Sequence, residues 1–294
     1  MSSVAAAAPP RVPVKEATAG RGPSTLTVYR WELRKLVSQK RTYLGYALAV
    51  IPPLLFVIFQ NVHHQHDRGA ENIFAAQITQ SGLATPVLML LFESFLLLPL
   101  IAALVAGDIV AAEDGNGTLK TILTRSVDRG QVYAAKALAG ASYAISAVFL
   151  SAVVATAAGV VSWGFKSVTS FSGTVVSAPE ALLLVFASNL VFLIPLLSIV
   201  WIGVLLSTVT HNSAASVVGT VGVIFLLLIV AQIPGLEGIH PYLLTEQFQS
   251  WQGLLRTPTD WAPIGHAAWV CALYGVPSLL AGYLVFLRRD VAGG

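Results

Sequence analysis

The chain has 294 residues, of which 55% are hydrophobic and 11% charged, and its mean hydropathy is +0.75. Soluble domains carry about 25% charged residues, so this composition excludes an ordinary soluble globular protein and predicts a large surface in contact with lipid. The net charge of +3 does not by itself indicate nucleic acid, because the positions of the charges decide what they bind. The one cysteine, Cys271, excludes an internal disulfide and a cysteine-based metal cluster.

Two segments precede the first long apolar stretch. Residues 1–24 are rich in Ala, Pro and Gly, and we interpret them as a disordered N-terminal tail. In residues 25–41 the apolar side chains recur at helical spacing and basic side chains occupy the other faces, which predicts an interfacial helix along the cytoplasmic leaflet. A topology anchor and a surface that also touches a cytosolic partner are both open for this helix. Its characteristic residues are Trp31, Glu32, Arg34 and Lys35.

Residues 42–290 contain six stretches long and apolar enough to cross a hydrocarbon core of about 30 Å, which takes roughly 20 helical residues. The sequence therefore predicts an all-α polytopic membrane protein with six transmembrane helices. The dipeptide Pro52-Pro53 predicts a kink or a broken turn in the first span, and Pro99 and Pro195 predict bends in the second and fourth. The spans lie near 43–60, 83–107, 137–162, 181–206, 213–232 and 266–287.

The distribution of lysine and arginine orients these spans. Fourteen of the 17 lie before the first span, between the second and third spans, or after the sixth, and three lie in the other connections. The positive-inside rule then places both termini in the cytoplasm. The basic character of the chain follows from topology, and we expect no nucleic-acid partner.

The connection between the second and third spans, residues 108–136, is the most patterned part of the chain. Gly115-Asn116-Gly117 predicts a turn with positive φ that ends the helix leaving the membrane. A short amphipathic helix is expected to follow, with Thr118 as its cap. Its apolar stripe consists of Leu119, Ile122 and Leu123. Either an ordinary connector or a helix that docks into a groove of a soluble protein fits this pattern.

A second helix start is predicted a few residues later. Ser126 is expected to cap it, with Asp128 in the first turn, where a negative charge is favourable. This helix runs through Arg129 and Lys136 into the third span.

These residues resemble the signature of type-2 ATP-binding-cassette (ABC) exporter permeases. The matching positions are Glu113, Gly117-Thr118-Leu119, Leu123, Arg129 and Lys136. The basic helix WELRKL is similar to the connecting helix of that family, and the six-span plan also matches. Where the family often has a proline about three residues before the arginine, this chain has Ser126.

The resemblance implies a permease subunit of the plasma membrane that works as a homodimer or as half of a heterodimer with two ATP-binding subunits. The chain has no G-x-x-x-x-G-K-[ST] phosphate loop, so ATP and Mg are expected on the separate ATPase. No cofactor, metal or enzymatic activity is expected in this chain. The helix after Gly117 would act as the coupling helix, docking on the ATPase through Leu119, Ile122 and Leu123. The family also implies export and re-entrant external helices before the last span.

The long connection between the fifth and sixth spans, residues 233–265, corresponds to those external helices. Pro241 to Leu255 is predicted to be helical, with enough apolar side chains to dip into the outer leaflet. Interfacial packing and a cap over a substrate exit are both consistent with it.

A few isolated polar residues are also candidates for function. Glu93 lies near the middle of the second span, where a carboxylate must face protein or water, and Asn189 in the fourth span is its candidate partner on a translocation path. A structural role and a proton or substrate role are both open. A cluster formed by His63, His64 and His66 beside Asp67 is interpreted as a solvated turn, and His211-Asn212 as a capping turn.

Two rival functions follow from the same residues. A secondary, proton-coupled carrier would use Glu93 but would predict inverted repeats, of which the sequence has no convincing sign. An intramembrane serine protease would need a G-x-S-G motif, and the triplets ending at Ser24 and Ser142 do not complete it, although His266 begins the sixth span. The transported substrate cannot be read from the sequence.

Overall fold

The computed structural model describes residues 24–66, 81–119, 127–170 and 172–288 and is mostly helical, at 79%. A two-stranded antiparallel hairpin pairs Val168 with Val176 and Thr169 with Val175. A short and a long 3₁₀ helix, His240–Tyr242 and Glu246–Leu255, precede the last helix. The remaining elements are α1 (Thr25–Val37), α2 (Lys40–His66), α3 (Ala84–Phe95), α4 (Leu97–Ala106), α5 (Ala111–Gly115), α6 (Arg129–Trp163), β1 (Val168–Thr169), β2 (Val175–Val176), α7 (Ala178–Val209), α8 (Ser213–Val230) and α9 (Ala262–Arg288).

Five helices, α2, α6, α7, α8 and α9, are long and apolar enough to cross a membrane. A sixth candidate span is formed by α3 and the helical stretch Leu97–Gly115, which are bent by 58° relative to each other. The structure therefore confirms a mostly helical protein with five helices that could span a membrane, or six when the bent pair counts as one span.

The break in the second candidate span lies at Leu96, whose backbone (φ −148°, ψ −40°) leaves the helical region between α3 and α4. Pro99 explains it, because proline has no N–H to donate to the carbonyl of Phe95 and its ring crowds that carbonyl. The bend predicted from Pro99 is therefore confirmed. Of the kink or broken turn predicted at Pro52-Pro53, the broken turn is wrong, since α2 continues through both prolines, and the kink stays a prediction. A helix can tolerate proline where neighbouring elements stabilise the freed carbonyls.

Helix α7 forms the centre of the bundle. In its most apolar stretch 61% of the residues are buried, compared with 17% for α8 and 28% for α2 and α9. It packs on α9, α6, α4, α8 and the long 3₁₀ helix, with Phe192, Ile199 and Val200 fully buried. The outer helices leave large apolar side chains at the surface, as lipid contact requires.

Two close crossings depend on glycine. The backbone at Gly82, just before α3, meets α6 at Gly159, and a Cβ atom on either residue would collide with the backbone of the other. Gly203 of α7 similarly faces Ala106 and Gly107 at the end of α4. Small residues at such crossings let helices approach closely and gain van der Waals contact, which is the main attraction between helices in lipid.

Helix α1 packs along α6. Ser24 caps α1 by accepting from the amide of Thr27, and the buried face consists of Val28, Glu32 and Leu36 at four-residue spacing. The Tyr29 hydroxyl is hydrogen-bonded to Ser142 at 2.7 Å. Trp31 is 51% exposed and remains available for an interface. The buried face of α1 therefore includes a carboxylate that an apolar pattern does not reveal.

The segment before α9 was predicted to be helical over Pro241–Leu255, and its helices are of the 3₁₀ type. It forms two 3₁₀ helices, and the apolar residues of the long one are buried in protein. Trp251 is fully buried, Phe248 is 3% exposed, and the ring of Phe248 lies 5.2 Å from that of Phe192. These side chains were predicted to dip into the outer leaflet, but they complete the core against α7 and α9.

Candidate functional site

The most concentrated charge in the described part of the chain lies where α1, the loop after α4, and α6 meet. Three cations and three carboxylates interact there. We call this group the ion cluster, and its members are Glu32, Lys35, Arg41, Asp108, Glu113 and Lys136.

Lys136 is the centre of the ion cluster. Its side chain is fully buried, and its Nζ lies 3.0 and 3.1 Å from the two carboxylate oxygens of Glu32 and 2.6 Å from Oε2 of Glu113. It also donates to the carbonyl of Ile109 at 3.3 Å. A buried ammonium is tolerated only when carboxylates and carbonyls surround it in this way, because its desolvation otherwise costs roughly several kcal/mol per ion. Lys136 thereby joins α1, the loop after α4, and α6.

Lys35 contacts the other oxygen of Glu113 and connects the ion cluster to the surface. Its side chain is 40% exposed. Burial, and next the positive charge of Lys136, lowers the pKa of Lys35 to about 8. The Glu113 carboxylate therefore lies between two lysines, one fully buried and one at the rim.

A second pair extends the ion cluster towards α2. Arg41 contacts Asp108, and its Nη2 donates to Oε1 of Gln39 at 2.7 Å. The other oxygen of Asp108 accepts a short hydrogen bond from Ser213 at the start of α8. Asp108 is 2% exposed, so this pair too is shielded on the carboxylate side.

The backbone beside the ion cluster is held by α7. The amides of Val110 and Ala111 donate to the Ser207 hydroxyl at 3.0 and 2.9 Å. Five helices therefore contribute side chains that bind the segment leaving the second span: α1, α2, α6, α7 and α8. These contacts fix that segment to most of the bundle at this end.

The ion cluster brings together several predicted site residues. Glu32 and Lys35 of α1 meet Glu113 of α5 and Lys136 of α6. Their partners Arg41 and Asp108 were not singled out from the sequence. The one available signal was an acidic residue, Asp108, directly after a long apolar span. Trp31 and Arg34 lie on the exposed side of α1, away from the ion cluster.

The turn that follows Glu113 has the predicted backbone. α5 ends at Gly115 and Gly117 has φ +68°, which confirms the positive-φ turn. The Thr118 hydroxyl donates to the carbonyl of Glu113 at 3.2 Å, so it satisfies the end of α5. Leu119 is 2% exposed and packs into the core of the chain, so it presents no free docking surface.

The rest of the predicted coupling helix, including Ile122 and Leu123, lies outside the described residues, as does Ser126. The helix start predicted at Ser126 is corrected by the structure, which begins α6 at Arg129 with Asp128 as its N-cap. Asp128 accepts from the amide of Gln131, so its carboxylate satisfies a free donor at the helix start. Arg129 donates to the carbonyl of Leu287 at 3.1 Å and ties α6 to the end of α9.

A groove of about 480 Å³ opens beside the ion cluster. Its walls combine Lys35, Lys40 and Arg41 with Glu113, Asn116 and Thr118. The described residues contain no group of three or more metal-ligating side chains. Charges that are paired and held by several helices can transmit force between those helices.

The second polar site is inside the membrane-spanning region. Glu93 is 3% exposed and accepts a hydrogen bond from Ser151 of α6 at 2.6 Å, while its Oε1 has no hydrogen-bond partner among the described residues. Asn189 lines the same small cavity but donates to the carbonyl of Val185. The predicted pairing of Glu93 with Asn189 is therefore replaced by one with Ser151, a residue that nothing in the sequence marked.

The structure describes one of the two histidine motifs that the sequence singled out. Asn212 caps α8 by accepting from the amide of Ala215, which confirms the capping turn, and His211 has φ +56°. The ring of His211 lies 2.7 Å from the Asp114 carboxylate. The side chains of His63, His64 and His66, and the whole of Asp67, lie outside the described residues.

Comparison with known proteins gives one match to a family. No curated protein sequence matches the chain. A family model described as "Protein of unknown function (DUF2705)" matches residues 45–292 and so covers all six candidate spans apart from the first few residues of α2. The chain therefore belongs to the DUF2705 family.

Proposed function

We propose that this chain is the transmembrane permease subunit of an ATP-driven exporter of the ABC type. In this proposal a separate subunit binds ATP and Mg, and the chain itself catalyses no reaction. It would work as a homodimer or as half of a heterodimer in the plasma membrane, with six spans and both termini in the cytoplasm.

The observation that carries the proposal is the contact of Lys136 with both Glu32 and Glu113. These residues belong to three segments that the family resemblance picks out independently: the connecting helix, the end of the second span and the start of the third. Their meeting in one salt-bridge network supports the proposal, because a coupling mechanism requires these three segments to act as one unit.

The ion cluster also suggests how movement would be transmitted. A force on residues 119–126 would reach the second span through α5 and Asp108, and the third span through Lys136. It would reach α1 through Glu32 and Lys35 at the same time. Since these charges are paired and largely buried, the three elements are expected to move together, as the levers of a rigid-body transition.

The direct test is co-expression of the full chain with an ATPase that carries a phosphate loop and is encoded beside it. We expect co-purification, and ATP hydrolysis that depends on the permease. Leu123→Asp is expected to abolish association, because Leu123 lies on the predicted docking stripe. Val175→Asp is the matched control, because Val175 is 73% exposed on the hairpin at the other end of the bundle.

Thermal unfolding of both variants alone separates loss of docking from loss of folding. Failure of the ATPase to associate with the unmodified chain would contradict the proposal. Association and ATP hydrolysis that are equal in the Leu123→Asp and Val175→Asp variants would exclude the predicted coupling helix.

A proton-coupled secondary carrier is the second candidate, and the buried Glu93 favours it. A carboxyl with one oxygen bonded to Ser151 and the other unpartnered among the described residues is a plausible proton site. Its position three residues before the break at Leu96 would let protonation act on the bend. Glu93→Gln keeps the hydrogen-bonding shape and removes the titration, so transport by this variant that matches the unmodified chain at every pH would exclude a proton role.

A further inference from the structure

A polar pocket of about 540 Å³ lies beside the long 3₁₀ helix Glu246–Leu255, at the opposite end of α7 from the ion cluster. The amide of Thr257 donates to Ser172 of the hairpin that leads into α7, whereas the ion cluster adjoins Ser207 near the end of α7. The pocket volume falls in the range of about 300–1,000 Å³ that is usual for ligand sites. We propose that this pocket binds a hydroxyl-rich ligand, meaning a sugar or polyol group.

The geometry of the 3₁₀ helix builds the pocket. Such a helix has about three residues per turn, so side chains three positions apart lie in line. One row is apolar and faces the core: Phe248, Trp251 and Leu254. The other two rows line the pocket: Glu246, Gln249 and Gln252, and Gln247, Ser250 and Gly253. An α-helix, with 3.6 residues per turn, would spread these polar side chains around its circumference.

The chemistry of the lining matches hydroxyl groups. The amide of Gln247 donates to two backbone carbonyls and that of Gln252 donates to Oε1 of Gln249, so the Oε1 atoms of Gln247 and Gln252 are the acceptors that these residues offer to a ligand hydroxyl. The charges of Arg256 and Asp260 on the wall form an ion pair at 3.4 Å. Glu246 is thus the one surplus charge among the wall residues when His266 is neutral. A site for an ion would present a larger surplus of one sign.

One buried group in the lining lacks a partner. Ser250 is 5% exposed, and its hydroxyl has no hydrogen-bond partner among the described residues. Leaving such a group unpaired is unfavourable, so the Ser250 hydroxyl is available to hydrogen-bond a water molecule or a ligand that enters the pocket. Gln247 beside it is held in place, because its amide donates to the carbonyls of Pro241 and Leu243 at 2.7 and 3.0 Å.

An exposed aromatic residue adjoins the wall in the sequence. Trp261 is 66% exposed and lies between the wall residues Asp260 and Ala262 in the chain, although it does not itself line the pocket. Flat aromatic faces can cover the C–H surface of a sugar ring while polar groups bind its hydroxyls. His266 on the wall donates through Nε2 to the carbonyl of Pro241 at 2.8 Å, which leaves Nδ1 as an acceptor.

The pocket also contacts the break in the second span. The amide of Gln249 approaches the Ser94 hydroxyl at 3.4 Å, next to Glu93 and two residues before Leu96. A ligand that engages Gln249 would therefore act close to the bend. This site requires neither the ATPase subunit nor a proton role of Glu93, so its test is independent of the proposed function.

The test is equilibrium binding of maltose to the full chain in lipid nanodiscs. Purification should use an amine-oxide detergent, because a maltoside detergent carries the group under test. We expect saturable binding, detected by calorimetry. Ser250→Ala and Gln252→Leu are each expected to weaken binding about three- to tenfold, the effect of one lost hydrogen bond. Gln131→Leu, near the ion cluster, is the matched control and should leave binding unchanged.

A second arm separates the two sources of the sugar. Nanodiscs that contain a diglucosyl lipid should weaken the apparent affinity for maltose if the natural ligand is a lipid headgroup, and leave it unchanged if the ligand is free in solution. The proposal is overturned if neither free maltose nor the diglucosyl lipid headgroup binds saturably to the chain. Saturation by ethanolamine with no response to maltose would show a cation site instead, and equal binding by all three variants would place the sugar elsewhere.

Discussion

The two ends of α7 carry polar side chains that are paired in opposite ways. In the ion cluster, three cations meet three carboxylates within the chain, and Lys136 at its centre is fully buried. In the pocket at the other end, a buried hydroxyl lacks a partner among the described residues, while the glutamine amides of the wall donate to neighbouring groups of the chain. A group whose partners are internal holds helices together, whereas one whose partners are missing is suited to an external ligand.

The largest expected effect comes from breaking the ion cluster at its centre. Lys136→Met would leave the carboxylates of Glu32 and Glu113 without their shared cation, and we expect a loss of about 3–5 kcal/mol in the free energy of unfolding. The measurement is the denaturant midpoint of the purified chain in detergent micelles. Lys40→Met, at an exposed position on the groove, should leave the midpoint within about 0.5 kcal/mol.

A double variant sharpens this result. Lys136→Met leaves the carboxylates of Glu32 and Glu113 without their shared cation. Adding Glu32→Gln removes the charge of Glu32, while Glu113 keeps Lys35 as its partner. The double variant should therefore unfold at a higher denaturant concentration than Lys136→Met alone, because contacting residues are not additive. Equal midpoints for Lys136→Met and Lys40→Met would mean that the ion cluster contributes no stability.

The next effect concerns the end of the bundle that carries the pocket, where stability depends on close packing. Gly159→Ala would force a Cβ into the backbone at Gly82, and we expect destabilisation of about 1–3 kcal/mol from overpacking. Gly222→Ala in α8 is the control, because no atom lies within 4 Å of the added Cβ. It should stabilise the helix by about 0.8–1.0 kcal/mol, since alanine favours helix more than glycine does. Changes of the same sign in both variants would contradict the close crossing.

A smaller effect is expected where α6, the helix that carries Lys136, begins. Asp128→Ala removes the side chain that caps the amide of Gln131 and should cost about 1 kcal/mol. Ser126→Ala, at the position that the sequence favoured as the cap, is the comparison variant and should change the midpoint less. A larger loss in Ser126→Ala would show that the helix starts earlier.

The smallest expected effect concerns the exposed member of the ion cluster. The pKa of Lys35 is lowered to about 8, so its amine should react with an acylating reagent at lower pH than an ordinary lysine, whose pKa is about 10.4. Mass spectrometry after labelling across pH 7–10 measures this directly. Between those two pKa values the folded chain binds fewer protons at Lys35 than the unfolded chain, so this group makes stability rise with pH. A labelling midpoint near 10 would contradict the lowered pKa.

Local patterns predicted most of the fold. Hydropathy located the apolar helices to within about four residues, except at the C-terminal ends of α2 and of the second candidate span and at the N-terminal end of α6, because each span must be long and apolar by itself. Pro99 predicted the bend and Gly117 the positive-φ turn, because both depend on the backbone of one residue. The segment that forms the long 3₁₀ helix was predicted only as helical, from the apolar stripe that includes Phe248, Trp251 and Leu254, and the sequence did not specify its 3₁₀ period.

The candidate site was predicted in part. The sequence singled out Glu32, Lys35, Glu113 and Lys136 as members of two separate motifs, and nothing in either motif said that they touch. Their partners are distant along the chain: 104 residues separate Glu32 from Lys136. A pairing over that distance has no local signature, which is also why Arg41, Asp108 and Ser151 were missed.

By itself, the sequence determined that the chain is a helical membrane protein and where its apolar helices lie, because lipid imposes length and hydropathy on each helix separately. The tertiary structure alone decided which buried charges are paired and which polar groups stay open. Whether a carboxylate is balanced depends on the side chains that other helices bring within a few ångströms of it, and that arrangement exists only after the helices have packed.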